Sequence, residues 1–206
     1  GAILVPVVQG VRKRAQIVKC ATTLRSLGTG LLLYTNDHRG ALPRSWHSAG
    51  AHREPGWAIS IAPYLGVSDQ AINNSWESVF NKYYRSPVTE ATDFSIYSYA
   101  LNVHFELSRH EDYVGNPKTW HRLSQIPSPS RTILLAQTRP VPFGDHFMAH
   151  MWGSLEGAKN AVLHDVYDGK AHYLFVDGSV ALLPIEATFN PSQKCNRWNP
   201  SLAGTF

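Results

Sequence analysis

The stretch Cys20 to Pro43, CATTLRSLGTGLLLYTNDHRGALP, decides the fold. Ile17, Cys20, Leu24, Leu27, Leu31 and Tyr34 recur in steps of three and four, which draws a single apolar stripe along a helix. The run stops in Asn36-Asp37-His38-Arg39-Gly40. Gly40 suits a left-handed turn after the last helical residue, and Pro43 cannot extend the helix. A long helix with one apolar face therefore opens the chain and occupies residues 1–40.

Upstream of the stripe, Ile3, Leu4, Val5, Val7 and Val8 form an apolar run far shorter than the roughly 20 residues needed to cross a bilayer. Arg12-Lys13-Arg14 follows at once. Two readings stand side by side. The run is either the end of a hydrophobic segment that continues upstream, with Gly1 left by cloning, or the start of an ordinary buried helix.

The remaining residues, 41–206, read as a head that forms one structural domain with the helix. At 206 residues with 43% hydrophobic and 17% charged, the chain can bury a sizeable core, which argues against disorder. A net charge of +4 without a long basic run or a recognisable motif argues against nucleic acid as a partner. After Pro43, Trp57 to Gly66 reads as a short helix ended by the glycine, and Ser75 is placed to cap another running through Trp76, Val79 and Phe80. Phe94 to Phe105 reads as a strand that bends near Asn102, Ser108 to Arg122 as an exposed excursion, and Thr132 to Gln137 as a buried strand. His172–Val176 and Ser179–Leu183 flank Asp177-Gly178, the signal for a hairpin with a type I′ turn. No strand-helix-strand alternation occurs, which disfavours a parallel sheet. The expected class is α+β: a long N-terminal helix packed on an antiparallel sheet, with short helices and long loops.

Few residues point to chemistry. His146 and His150 stand four apart, a spacing that places two imidazoles on one helix face, yet Phe147 occupies the position where a zinc protease carries Glu. Ser154 directly follows Gly153 and so does not make a nucleophile elbow. Glu111 and Asp112 are adjacent in a polar stretch, where solvation accounts for them. No catalytic residue is assigned.

Several motifs, in order along the chain, carry a resemblance. The apolar start and basic patch lead into C-x-x-x-L-R-x-L-G-x-x-L-x-x-Y-x-x-D-x-x-G-x-x-P from Cys20 to Pro43. Tyr84-Arg85-Ser86-Pro87 precedes Ser95-Ile96-Tyr97-Ser98-Tyr99-Ala100-Leu101-Asn102, Pro127-Ser128 precedes Thr132-Ile133-Leu134-Leu135, and Ala171 to Val180 reads AHYLFVDGSV. Together these resemble bacterial prepilin-like proteins, the pseudopilin and type IV pilin group, in the subset with a C-terminal H-X9-DG motif. Two positions depart from that pattern: His164 stands twelve residues clear of Asp177-Gly178, and Ser86 replaces the usual cysteine before proline. Cys20 thus lacks its expected partner, leaving Cys195 as the other candidate for a disulfide, or Cys20 as a small buried thiol.

The resemblance implies a non-enzymatic structural subunit that assembles through its N-terminal helix into a pilus or the pseudopilus of a secretion system, in the cell envelope. It implies as partners other pilin-like subunits, the inner membrane and a prepilin peptidase acting on the precursor. No cofactor is expected, apart from calcium at Asp165, Asp168 and Asp177, since some pseudopilins hold that ion in C-terminal loops. The contrasting reading is a binding module for carbohydrate or protein that uses exposed Trp46, Trp57, Trp120, Trp152 and Trp198. A metal-dependent enzyme built on His146, His150 and His164 is a third.

Overall fold

The computed structural model describes residues 4–107 and 120–206, with side chains from residue 8 onward. Ile3, Glu111, Asp112 and nearly all of the Ser108–Arg122 excursion lie outside the described residues, and Leu4, Val5 and Val7 are described only as helical backbone.

Helix α1 (Leu4–Asp37) runs 34 residues, about 51 Å at 1.5 Å per residue. Cys20, Leu24, Leu27 and Leu31 are fully buried, flanked by the partly covered Ile17 and Tyr34, so the stripe read from sequence is the face that packs. Its end is a Schellman-type cap in which the Gly40 amide donates to the Thr35 carbonyl at 2.7 Å. Gly40 has φ +81°, as anticipated, and Arg39 just before it also adopts a left-handed conformation at φ 57°.

Short helices follow: α2 (Trp46–His52), α3 (Trp57–Ile61), which continues as a 3-10 turn over Ala62–Leu65, and α4 (Asp69–Tyr83). The true cap of α4 is Ser68, whose hydroxyl accepts from the Ala71 amide. Ser75, read as a cap from sequence, instead sits at a kink inside α4 with φ −157° and ψ 50°.

The main sheet has five strands in the order β3-β1-β2-β4-β5: β1 (Tyr99–Asn102), β2 (Ile133–Gln137), β3 (His146–Phe147), β4 (Lys170–Phe175) and β5 (Val180–Pro184). The pairs β1–β2, β2–β4 and β4–β5 are antiparallel, but β3 joins β1 in parallel, Leu101 opposite His146, so the expectation of a purely antiparallel sheet needs that correction. A separate ribbon, β6 (Phe189–Asn190) with β7 (Cys195–Asn196), precedes the C-terminal segment.

Alternation along the strands builds two apolar layers. Tyr99, Leu101, Leu174 and Leu182 face α1, whereas Ala100, Tyr173, Phe175 and Leu183 face a second core closed by α5 (Leu155–Ala161), Phe147 and Trp198. In β2 the register shifts between Ile133 and Leu135, a bulge that turns both Leu134 and Leu135 to the α1 side. At Gly28 α1 lies tight against the sheet, since a Cβ there would stand 2.7 Å from Leu174 Cδ1.

The hairpin between β4 and β5 closes differently from expectation. The Gly178 amide donates to the Phe175 carbonyl at 3.0 Å and the Phe175 amide to the Ser179 carbonyl at 2.8 Å, and of the two turn residues only Gly178 has positive φ, +86°. This is a type I turn with a glycine bulge rather than type I′. Asp177 keeps an ordinary φ because its carboxylate accepts from the amide and hydroxyl of Ser179.

Candidate assembly surface and polar sites

Before Ile17, α1 runs clear of the core. Val8 is 45% exposed, Val11 61% and Val18 65%, and Ala15 is also exposed. At 100° per residue, Val8, Val11, Ala15 and Val18 form one stripe, roughly opposite the Cys20–Leu31 stripe that packs on the sheet. Exposed valines repeating at helical spacing on one face are an uncovered apolar surface, unlike apolar residues scattered singly. Lys13, on the sheet side, forms an ion pair with Asp168, and the Tyr167 hydroxyl donates to the Gln16 carbonyl at 3.5 Å, so the helix is tethered at the lower edge of the head. Among the described residues no helix is long and apolar enough to cross a membrane.

The H-X9-DG residues do not converge. His164 lies before β4 on the side of Glu186, whereas Asp177 and Gly178 lie past the strand's far end. Asp165, Asp168 and Asp177 are all exposed, and Asp168 and Asp177 flank opposite ends of β4, roughly 20 Å of strand apart. They cannot ligate one ion together. Among the described residues no group of three or more His, Cys, Asp or Glu gathers as a metal site.

The two cysteines are free thiols, which corrects the Cys20–Cys195 pairing. Cys20 lies in the α1 layer of the sheet, its Sγ 3.4 Å from the Tyr99 hydroxyl, while Cys195 sits in β7 beside the second core with Sγ 3.5 Å from the Ala187 carbonyl. The sheet stands between them. Burial pushes the Cys20 thiol up, against the hydroxyls of Tyr99, Tyr167 and Ser86 gathered around it. Ser86 is itself held by the Gln137 side-chain amide at 3.0 Å.

His146 and His150 do not share a helix face: His146 is in β3 and His150 in a 3-10 turn (Ala149–Met151). His146 packs against His47, and His150 edges onto His104. Four of the five tryptophans read as an exposed set are covered as well. Trp57, Trp120 and Trp198 are buried and Trp152 half-buried, leaving only Trp46 exposed, at 55%.

A buried carboxylate pair escaped the sequence reading. Glu106 Oε2 accepts from the Ser45 amide and Asp145 Oδ2 from the Trp46 amide, each at 2.6 Å, which fastens the first turn of α2 to the β1–β3 edge. Asp145 Oδ1 is 2.9 Å from His146 Nδ1. Burial raises the Glu106 carboxyl against its bonds to Ser45. For His146 burial acts downward, but the hydrogen bond and charge of Asp145, together with Glu106, leave it raised. The only signal in sequence was an acid between Phe105 and Leu107.

Several clefts open on the surface, two of them beside α3. A small aromatic one of about 140 Å³ is walled by Trp46, Trp76, Phe94, Tyr97 and Phe143. A larger one of about 690 Å³ opens between the end of α1, α3 and α4. No family model, curated protein or solved structure matches the chain.

Proposed function

We propose that the protein is a non-enzymatic, pilin-like structural subunit of the cell envelope, which assembles with other pilin-like subunits through α1 into a pilus or the pseudopilus of a secretion system. The observation that supports this most is the second apolar stripe on α1. A helix with Val8, Val11, Ala15 and Val18 uncovered on the side away from its own core is suited to pack against helices of neighbouring subunits. A heterologous contact of that kind repeats into an open helical assembly. Of the basic patch Arg12-Lys13-Arg14 at the same level, Lys13 is engaged by Asp168, and Arg12 and Arg14 would draw that end of the helix to anionic lipid, each by about 1 kcal/mol at most. The non-enzymatic part rests on where the polar groups are spent: the carboxylates of Glu106 and Asp145 hold backbone amides of α2.

The test uses the full-length gene product in its own cells. Val11→Asp and Val18→Asp change exposed positions, so the purified protein should keep its melting temperature. Cysteines placed at Val11 and Val18 should form oxidant-dependent crosslinks between subunits, and the two aspartates should abolish co-sedimentation of the protein with high-molecular-weight assemblies. Unchanged assembly in the double aspartate variant rejects the reading.

A further inference from the structure

The larger cleft has features that the assembly reading does not use. Its floor is the end of α1, with Tyr34 and His38, and its walls come from the loop before α3 (Glu54), the 3-10 turn after α3 (Tyr64) and the first turns of α4 (Asp69, Asn73). At about 690 Å³ it lies within the roughly 300–1,000 Å³ of ligand clefts.

Three observations define what it would take. First, the aromatic surface is fixed in place. The Tyr64 hydroxyl donates to Asp37 Oδ2 at 3.0 Å, its ring meets Tyr34 edge-on at 6.0 Å, and Tyr34 stacks on His38 at 3.8 Å. A ring held this way costs little ordering entropy when a ligand lies on it. Second, the polar groups favour hydroxyls. The Glu54 and Asp69 carboxylates accept only, while the Asn73 amide both donates and accepts. The contact of Glu54 with Arg44 Nε, at 3.7 Å, is too long to occupy its oxygens as a hydrogen bond would. Third, on a chain of net charge +4, no Lys or Arg lines this cleft among the described residues. A phosphate, sulfate or acidic chain would meet the Glu54 and Asp69 carboxylates with no Lys or Arg in the lining, and the nearby Arg44 already faces Glu54.

A sugar ring matches this combination, because it presents C–H groups on its faces for an aromatic ring and hydroxyls around its rim for carboxylates and amides. We propose that the cleft bounded by Tyr34, Tyr64, Glu54, Asp69 and Asn73 binds a neutral saccharide, with Tyr64 as the stacking platform and Glu54, Asp69 and Asn73 holding ring hydroxyls. The site lies at the opposite end of α1 from Val11 and Val18, so its success or failure is separable from that of the assembly reading.

The experiment is calorimetric titration, backed by amide chemical shifts, of the purified protein with cellohexaose, xylohexaose, maltohexaose and chitohexaose, with spermidine as a cationic control. At least one neutral oligosaccharide should bind saturably with a dissociation constant of about 10 μM to 1 mM. Tyr64→Ala should weaken it at least tenfold, Glu54→Gln and Asp69→Asn three- to tenfold each. Tyr64→Phe, which keeps the ring and loses only the Asp37 bond, should weaken it less than Tyr64→Ala. Trp46→Ala, in the small aromatic cleft, should leave binding unchanged. Circular dichroism verifies that each variant is folded. The proposal is overturned if none of the four oligosaccharides binds, if spermidine alone binds, or if binding survives Tyr64→Ala in a folded protein.

Discussion

Ser86→Cys should create a disulfide with Cys20 that ties α1 to the segment following α4. Ser86 and Cys20 are both buried, and the Ser86 hydroxyl acts with those of Tyr99 and Tyr167 to favour the Cys20 thiolate, which groups the two side chains in one cluster of the α1 core. Closing a loop of roughly 65 residues removes about 4 kcal/mol of unfolded-state entropy on the chain-entropy model. Against that stands the hydrogen bond from the Gln137 amide to Ser86 Oγ, 3.0 Å long and fully buried, whose loss costs about 1–2 kcal/mol. The oxidised variant should thus gain about 2–3 kcal/mol, which for a domain of this size raises the melting temperature by roughly 5–10 °C, and the reduced variant should melt below the parent. Calorimetry with and without reductant measures the shift. Thiol titration of the denatured, oxidised protein should find Cys195 alone reactive. Adding Cys20→Ser should erase the gain. If the oxidised variant folds, as judged by circular dichroism, yet all three thiols stay free, the placement of Ser86 against Cys20 is wrong.

Three other outcomes are expected. Gly28→Val drives a branched side chain into Leu174, whose Cδ1 would lie 2.7 Å from the new Cβ, and should cost about 1–3 kcal/mol in urea denaturation despite the better helix propensity of valine; a change below about 0.5 kcal/mol would show that α1 can back away from the sheet. Glu106→Ala strips the Ser45 amide of its buried acceptor and should cost about 1–3 kcal/mol, with Glu106→Gln losing much less because the amide oxygen still accepts; equal losses in the two variants would point to charge instead of the acceptor. His172 is buried, and burial, followed by the Arg25 charge, lowers its pKa to about 4 from the ordinary 6.5, so the unfolded chain takes up the proton first and stability should fall as pH drops from 6.5 toward 4. His172→Phe should flatten the denaturation-free-energy profile across that window, and an unchanged slope would assign the acid sensitivity to other groups.

The parts of the fold legible in sequence are those set by local rules. The Cys20–Tyr34 stripe fixes which face of α1 packs, because its 3.6-residue period needs no knowledge of the partner. Asp177-Gly178 marks the β4–β5 hairpin because positive φ favours glycine, although the exact turn depended on Asp177 finding Ser179 as a partner. What stayed hidden depends on distant contacts. The four-residue spacing of His146 and His150 carries meaning only on a helix, and here the first joins an edge strand whose pairing with β1 is decided by residues more than forty positions away. The tryptophans' burial followed from which core each reached. The Tyr34–Tyr64 cleft likewise assembles from α1, α3 and α4, whose juxtaposition no periodicity announces. Ser75 resembles a cap by residue type, yet Ser68 had an equal claim and a helical segment after it.

The separation of Cys20 and Cys195 by the sheet gives the molecule two built-in clocks. A thiol reagent reaches the fully covered Cys20 only when α1 lifts from the strands, whereas Cys195, which borders a surface cleft on the opposite layer, is shielded only by the local cover of the β6–β7 ribbon. Labelling rates at the two sulfurs, followed side by side under rising denaturant, time the opening of each layer independently. Convergence of the two rates marks the point at which the whole chain unfolds as a unit.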